Sequence, residues 1–213
     1  MNYLKFKNKV QDLPIILSRD LLWLEENNQI FRNQLNRWKQ KKFVIKLKRG
    51  VYMLNVNDRK ITPSRNFIAN QLYVPSYVSL EYALNFYGLI PERTVDITSI
   101  TTKKTMTIKN EIGSFIYQHV KPEAFRGFKM ANDSSGLTFF IAEPEKAVVD
   151  LLYLNINNIP EGKKDYFEVY FRFQNVEELK TRRIIEMANL FKNRKLTRIL
   201  KDLCDFIKKE QKR

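Results

Sequence analysis

The side chains best suited to specific recognition are concentrated in one segment near the N-terminus of this 213-residue chain. Arginine can form paired hydrogen bonds with guanine, and asparagine or glutamine with adenine, when a helix carries them into the DNA major groove. The same pattern also fits an ordinary solvated helix face. Residues 28–41 carry such groups away from their apolar stripe, at Gln29, Arg32, Asn33, Asn36, Arg37 and Gln40.

A basic hairpin is predicted directly after this segment. Apolar and β-branched residues flank a short turn, in which Gly50 supplies the left-handed backbone conformation. Lys46, Lys48 and Arg49 are expected to project at its tip, as a wing that touches phosphates or reaches a minor groove. The hairpin therefore favours DNA binding over a merely solvated helix.

The net charge of +15 is unevenly distributed. Residues 1–60 carry 14 basic and 5 acidic side chains, residues 61–174 carry 12 of each, and residues 175–213 carry 12 and 6. Basic ends around a neutral middle are typical of surfaces that meet polyanions, most often nucleic acid. The composition bias of an AT-rich genome is the alternative explanation.

Other kinds of chemistry find little support in the sequence. His119 and Cys204 are the only residues of their types, and neither has a partner at metal-ligand spacing. No phosphate-binding glycine loop or nucleophile–base pair is recognisable. Lys146 and Asp150 are instead spaced for an ion pair on one helix face. We therefore predict no catalytic residue, no metal, no cofactor and no enzymatic activity.

The elements expected to position the basic segment follow from apolar spacing. A helix over 3–12, with Leu4, Val10 and Leu13 as its apolar positions, precedes a short helix over 18–24. The helix over 28–41 has a stripe formed by Phe31, Leu35 and Trp38. Three helices followed by a hairpin predict a winged helix-turn-helix domain over residues 1–60.

Residues 61–213 predict a second domain of mixed α and β structure that ends in helices. Helices are expected over 64–73 and 79–87, strands within 95–120 and 127–141, and a helix that begins at Pro144. Asn175 and Glu178 have the spacing of a capping box. The predicted fold class of the whole chain is α+β.

Three blocks of sequence resemble the AbiEi family of antitoxins, and they occur in consistent order. The first block is KLKRGVY at 46–52, within the predicted wing. The second comprises PSYVSLEYAL at 75–84 and YGLI at 87–90. The third is AEPEKAVVDLLY at 142–153. The resemblance extends to about residue 155.

This resemblance implies the antitoxin of a type IV toxin–antitoxin system active in abortive phage infection. The winged helix would repress its own promoter at inverted repeats in double-stranded DNA, and the C-terminal domain would oppose a nucleotidyltransferase toxin. We expect a monomer in solution, with more than one copy on DNA. The alternatives are an interaction module that binds the toxin directly, or a stand-alone transcriptional regulator.

The sequence also bears on location. No apolar run approaches the roughly 18 residues of a membrane helix. The lysines at positions 5 and 7 interrupt the N-terminal segment, which lacks the apolar stretch of a signal peptide. We therefore predict a cytoplasmic protein with no membrane association.

Overall fold

The fold is known from a computed structural model, which describes residues 1–24, 28–159 and 166–212. Within these residues the chain forms eight α-helices and two β-sheets, so the predicted α+β class is confirmed. The smaller sheet has three strands and belongs to the N-terminal part. The larger sheet has six strands and lies in the remainder of the chain.

The N-terminal part alternates short helices with a small antiparallel sheet. The strand order is β1-β3-β2, so the first strand pairs with the last. Its elements are α1 (Tyr3–Val10), β1 (Ile16–Leu17), a 3-10 helix (Ser18–Leu24), α2 (Asn28–Gln40), β2 (Val44–Lys48) and β3 (Val51–Leu54).

The buried face of α1 differs from the prediction. Leu4 and Leu13 are exposed, whereas Phe6 and Val10 are completely buried. Phe6 and Val10 are four residues apart and so lie on one face of the helix. Phe6 also stacks on Trp38 of α2, with ring centroids 4.6 Å apart. The larger aromatic surface thus occupies the core, and the two leucines are left outside.

The apolar stripe predicted for α2 is confirmed. Phe31, Leu35 and Trp38 are all buried against α1 and the small sheet. The helix ends where Lys42 adopts a left-handed conformation, with φ of 58°. The amide of Phe43 then donates to the carbonyl of Trp38 at 2.9 Å, which satisfies one of the last helical carbonyls. The chain can then turn directly into β2.

The β2–β3 hairpin contributes to two hydrophobic clusters. Val44 and Leu54 pack with α1 and α2 in the smaller cluster. Leu47, Val51 and Met53 belong to the larger cluster, which otherwise comes from the C-terminal part. The hairpin thus packs against both parts of the molecule.

The remainder of the chain is built around the larger sheet, in the order β6-β7-β5-β4-β9-β8. The pairs β5–β7 and β4–β9 are parallel, and the others are antiparallel. The elements are α3 (Arg65–Leu72), β4 (Ser76–Val78), α4 (Leu80–Phe86), β5 (Ile97–Thr101), β6 (Met106–Asn110), β7 (Gly113–His119), β8 (Phe128–Asn132), β9 (Thr138–Ala142), α5 (Pro144–Leu154), α6 (Tyr166–Val169), α7 (Thr181–Asn189) and α8 (Arg194–Glu210).

Most of the elements expected in this part are present, including the helix that begins at Pro144. The capping pair is wrong. Asn175 adopts a left-handed conformation, with φ of 53°, and its side chain caps no helix. Its amide nitrogen instead donates to the carbonyl of Gly88 at 2.8 Å. Only a 3-10 turn, Val176–Glu178, follows. Asn175 thus secures a contact between distant segments, which sequence spacing cannot reveal.

Candidate nucleic-acid interface

The polar face of α2 consists of the residues predicted for DNA contact. Its apolar stripe is turned into the N-terminal core, so the opposite side of the helix is left at the surface. The side-chain amide of Gln29 donates to the Asn33 side-chain oxygen at 3.2 Å, which orders the start of this face. All six predicted residues are exposed, and we call them the α2 polar face: Gln29, Arg32, Asn33, Asn36, Arg37 and Gln40. Ile30 and Lys39 of α2 are also exposed.

The chain segment that contains α2 and the hairpin carries charge of a single sign. From Asn28 to Asn57 the chain contains eight lysines and arginines and no aspartate or glutamate. The first carboxylate after α2 is Asp58, which pairs with Lys7 of α1. No acidic side chain of α2 or the hairpin therefore neutralises the basic groups they carry. Such a surface attracts phosphates at long range.

The hairpin lies beside the α2 polar face. Lys46 of β2 is opposite Tyr52 of β3 in the small sheet. Partial burial raises the pKa of the Tyr52 phenol, and the positive charge of Arg32 opposes this rise. Tyr52 packs against the N-terminal core that the buried side of α2 helps to form.

The two residues at the hairpin tip have different surroundings. Arg49 is exposed, next to Gly50, whose φ is 77°. Lys48 was predicted to project into solvent, but it does not. Its ammonium group donates to the carbonyl of Leu72, the last residue of α3. Burial lowers the pKa of Lys48, and the nearby charge of Lys103 lowers it further. Lys48 thus fastens the hairpin to α3.

An acidic residue holds α1 in position beneath α2. Asp58 accepts hydrogen bonds from the Lys7 ammonium at 2.6 Å and the Tyr3 hydroxyl at 2.7 Å. These bonds lower the pKa of Asp58. They tie the first residue and the middle of α1 to the segment that follows β3. Because α1 packs under α2 through Phe6, Asp58 helps to fix the orientation of the α2 polar face.

The C-terminal part contains a buried polar cluster formed by Tyr77, Ser79, Lys146 and Asp150. The predicted Lys146–Asp150 ion pair is confirmed, and both side chains are completely buried. The other Asp150 oxygen accepts hydrogen bonds from Tyr77 and Ser79, both at 2.9 Å. Burial raises the pKa of Asp150, and these donors oppose the rise.

Sequence reasoning missed the burial of this cluster. The sequence did contain a signal for this burial. Apolar residues surround Asp150 on both sides in α5, so the helix has no polar face that could be exposed to solvent. The cluster joins α5 to β4 and to the residue before α4. Since its members are sealed in the core, it supports the fold and is not open to a substrate.

The remaining candidates for chemistry have local structural contacts. The Nδ1 atom of His119 lies 3.0 Å from the Lys103 carbonyl oxygen. Burial raises the pKa of the Cys204 thiol to about 11, so the reactive thiolate is scarce at neutral pH. Within residues 1–24, 28–159 and 166–212, no three His, Cys, Asp or Glu side chains are grouped as a metal would require.

Comparison of the chain with protein-family models and with curated proteins gives no match. Among the helices that the structure describes, none is long and apolar enough to cross a membrane. The function must therefore be inferred from the arrangement of the chain's own side chains. The α2 polar face and the hairpin beside it offer the strongest concentration of groups that could bind a ligand.

Proposed function

We propose that this protein is a transcriptional regulator that binds double-stranded DNA through an N-terminal winged helix, with α2 as the recognition helix. The observation that carries the proposal is the exposed polar face of α2 within a 30-residue segment without carboxylates. The order of three helices followed by a hairpin supports it. Recognition helices of this type contact bases through residues near their N-terminal end.

The contacts divide into two kinds. Arg32, Asn33 and Asn36 have the side chains that read base edges in the major groove. Lys46 and Arg49 on the hairpin would contact phosphates, which position the protein without reading sequence. Lys48 contributes by holding the hairpin against α3, because its ammonium group is already bound to Leu72.

This division can be tested by measuring binding to the DNA upstream of the protein's own gene and to an unrelated duplex. Titrations by fluorescence anisotropy over about 50 to 200 mM salt give the affinity and its salt slope. Arg49→Ala should weaken binding to both duplexes equally and reduce the slope by about one. Arg32→Ala should cost about 1–3 kcal/mol on the specific duplex and much less on the unrelated one.

Arg182→Ala is the charge-matched control. Arg182 lies on α7, and its side chain is 93% exposed and pairs only with Glu186 among the contacts the structure describes. Its loss should leave both affinities nearly unchanged. If the three variants lose the same affinity on both duplexes, net charge alone drives binding and the recognition-helix assignment is wrong. Circular dichroism of each variant would verify that it is folded.

We further propose that the C-terminal part opposes a nucleotidyltransferase toxin, as the resemblance to AbiEi antitoxins implies. The second and third resemblance blocks meet in space, because Tyr77 and Ser79 from one contact Asp150 from the other. Residues from both blocks that resemble the AbiEi family thus contact each other in the core. This contact supports the idea that the resemblance extends to the fold of this part of the chain.

Co-expression with the product of the neighbouring gene tests this second proposal. If that product is toxic, the wild-type chain should restore growth, and an Arg32→Ala/Arg37→Ala variant that no longer binds DNA should restore it equally. Rescue that disappears with DNA binding would show that repression alone accounts for the effect. Co-purification of the two proteins would indicate that they act by direct binding.

A further inference from the structure

A cavity of about 340 Å³ opens where β4 and β9 separate in the larger sheet. These two strands are paired only at Val78 and Ile141, and the gap beyond that pair is not closed by backbone hydrogen bonds between them. Aromatic rings from three segments, Phe125, Phe128 and Phe140, line the cavity. Its volume lies at the lower end of the range for small-molecule sites, about 300–1,000 Å³.

Two buried donors in the wall of this cavity lack partners. The side-chain nitrogen of Asn70 and the hydroxyl of Ser76 make no hydrogen bond to any residue that the structure describes. The two residues are 6% and 7% exposed, so both are well shielded from bulk water. The Asn70 oxygen is already used, because it accepts from the Phe140 amide. Buried donors of this kind normally have acceptors, which a bound ligand would supply.

A cationic groove of about 630 Å³ adjoins the cavity, and Gln71 and Val74 line both. The groove runs between the hairpin tip and the end of α3, and no acidic residue is among those lining it. Arg19, Arg49 and Lys103 are the exposed cations among the residues that line it. Lys48 lies in the same wall.

Two basic residues of this groove, Lys48 and Lys103, form no ion pair with an acidic residue that the structure describes. The ammonium group of Lys103 lies 5.5 Å from the ring centroid of Tyr73, which fixes it at the wall. Its charge lowers the pKa of Lys48, so the two ammonium groups repel each other. Arg19, which also lines the groove, pairs with Asp20. An anion placed between Lys48 and Lys103 would relieve their repulsion.

From these features we infer that the protein binds a nucleotide, with its base in the aromatic cavity and its phosphates in the cationic groove. A flat base can stack on phenylalanine rings. Its ring nitrogens and carbonyl oxygens would accept from the Asn70 amide and the Ser76 hydroxyl once these side chains rotate towards the cavity, because both donor atoms are almost fully covered before a ligand binds. The nucleotide could be a free metabolite or the terminal nucleotide of a single strand, since both present the same groups.

The test uses the full chain and isothermal titration calorimetry with ATP, GTP, CTP and UTP. Inorganic triphosphate probes the cationic groove alone, and the four nucleosides probe the aromatic cavity alone. At least one nucleotide should bind at least about tenfold more tightly than triphosphate, because base stacking and hydrogen bonds add to the charge interaction. It should also bind more tightly than its own nucleoside, because the groove contributes.

Single substitutions examine the two halves separately. Ser76→Ala should weaken nucleotide binding about three- to tenfold, the effect of one lost hydrogen bond, and leave triphosphate binding unchanged. Lys103→Gln should weaken both and lower the salt dependence. Ser114→Ala is the matched control, because its hydroxyl is also buried without a partner but lies outside both cavities. Lys109→Gln is the control for charge, on the edge strand β6.

The inference is overturned if triphosphate binds as tightly as every nucleotide, or if Ser76→Ala and Ser114→Ala have the same effect. Absence of heat with all four nucleotides at millimolar concentration would overturn it too. Competition by a 5′-phosphorylated single-stranded oligonucleotide distinguishes the two sources, and either result agrees with the inference. The promoter-binding titrations described above are independent of this outcome.

Discussion

Replacing Lys146 by methionine should strongly destabilise the protein. The Lys146–Asp150 pair is completely buried, and Asp150 also accepts hydrogen bonds from Tyr77 and Ser79. Methionine nearly preserves the volume but leaves the carboxylate without its counter-charge. Removing one partner of a buried ion pair costs about 3–5 kcal/mol. We therefore expect Lys146→Met to lower the free energy of unfolding by about that amount.

A substitution of the other partner tests the same reasoning through the sign of its coupling energy with Lys146→Met. Asp150→Leu strands a buried ammonium group and two hydroxyl groups, so it should be the most harmful single change. Adding Lys146→Met to Asp150→Leu removes the stranded charge and should recover about 1–3 kcal/mol, although the hydroxyls of Tyr77 and Ser79 remain without an acceptor. The two substitutions are thus expected to be coupled, with the double variant more stable than Asp150→Leu alone.

Urea unfolding followed by circular dichroism measures these free energies, with Lys103→Met as the exposed control, which should change stability by less than about 0.5 kcal/mol. Burial raises the pKa of Asp150, and loss of Lys146 removes one opposing interaction. Because the folded pKa of Asp150 is raised, protonation of Asp150 should restore stability to Lys146→Met as the pH falls through that raised pKa towards the ordinary value of an aspartate. The reasoning would be refuted if Lys146→Met lowered the free energy of unfolding by less than about 1 kcal/mol, or if the double variant were less stable than Asp150→Leu.

Two other predictions concern Asp58 and the glycines. Asp58→Asn weakens the bond to Lys7 and should cost about 1 kcal/mol at neutral pH. Because the folded pKa of Asp58 is lowered, this difference should persist above about pH 4 and vanish as the pH falls through the folded value; a constant difference would contradict it. Gly127→Ala places a Cβ 2.5 Å from the Met187 sulfur at φ of 78°, whereas Gly136→Ala, at 76°, meets no atom within 4 Å. Thermal unfolding should show a loss of about 1–2 kcal/mol for Gly136→Ala and a larger one for Gly127→Ala; equal losses would exclude a packing contribution.

The features predictable from the sequence are those set by short-range spacing. Phe31, Leu35 and Trp38 recur at the helical period, so they identified both α2 and its buried side. Gly50 between apolar residues located the hairpin turn. The α2 polar face followed directly, because a helix with one buried stripe must expose its other residues.

The features missed depend on contacts between distant segments. The burial of Phe6 instead of Leu4 follows from the Trp38 ring that lies above α1, which α1's own sequence does not reveal. The sequence around Lys48 predicts only a cation at a hairpin tip. Its bond to the Leu72 carbonyl depends on the position of α3, which the hairpin sequence does not reveal. The unpartnered donors of Asn70 and Ser76 belong to separate elements, α3 and β4, and their lack of acceptors depends on how these elements pack against β9.

The hairpin also has an energetic consequence, because its side chains are shared between the two hydrophobic clusters. Separating the N-terminal part from the larger sheet would expose Leu47, Val51 and Met53 to water and break the bond between the Asn110 side chain and the Leu47 carbonyl. It would also uncover β6, the edge strand to which Asn110 belongs, and bare strand edges promote aggregation. Because separating the two parts would destabilise both, we expect them to unfold together as one cooperative unit despite their two sheets.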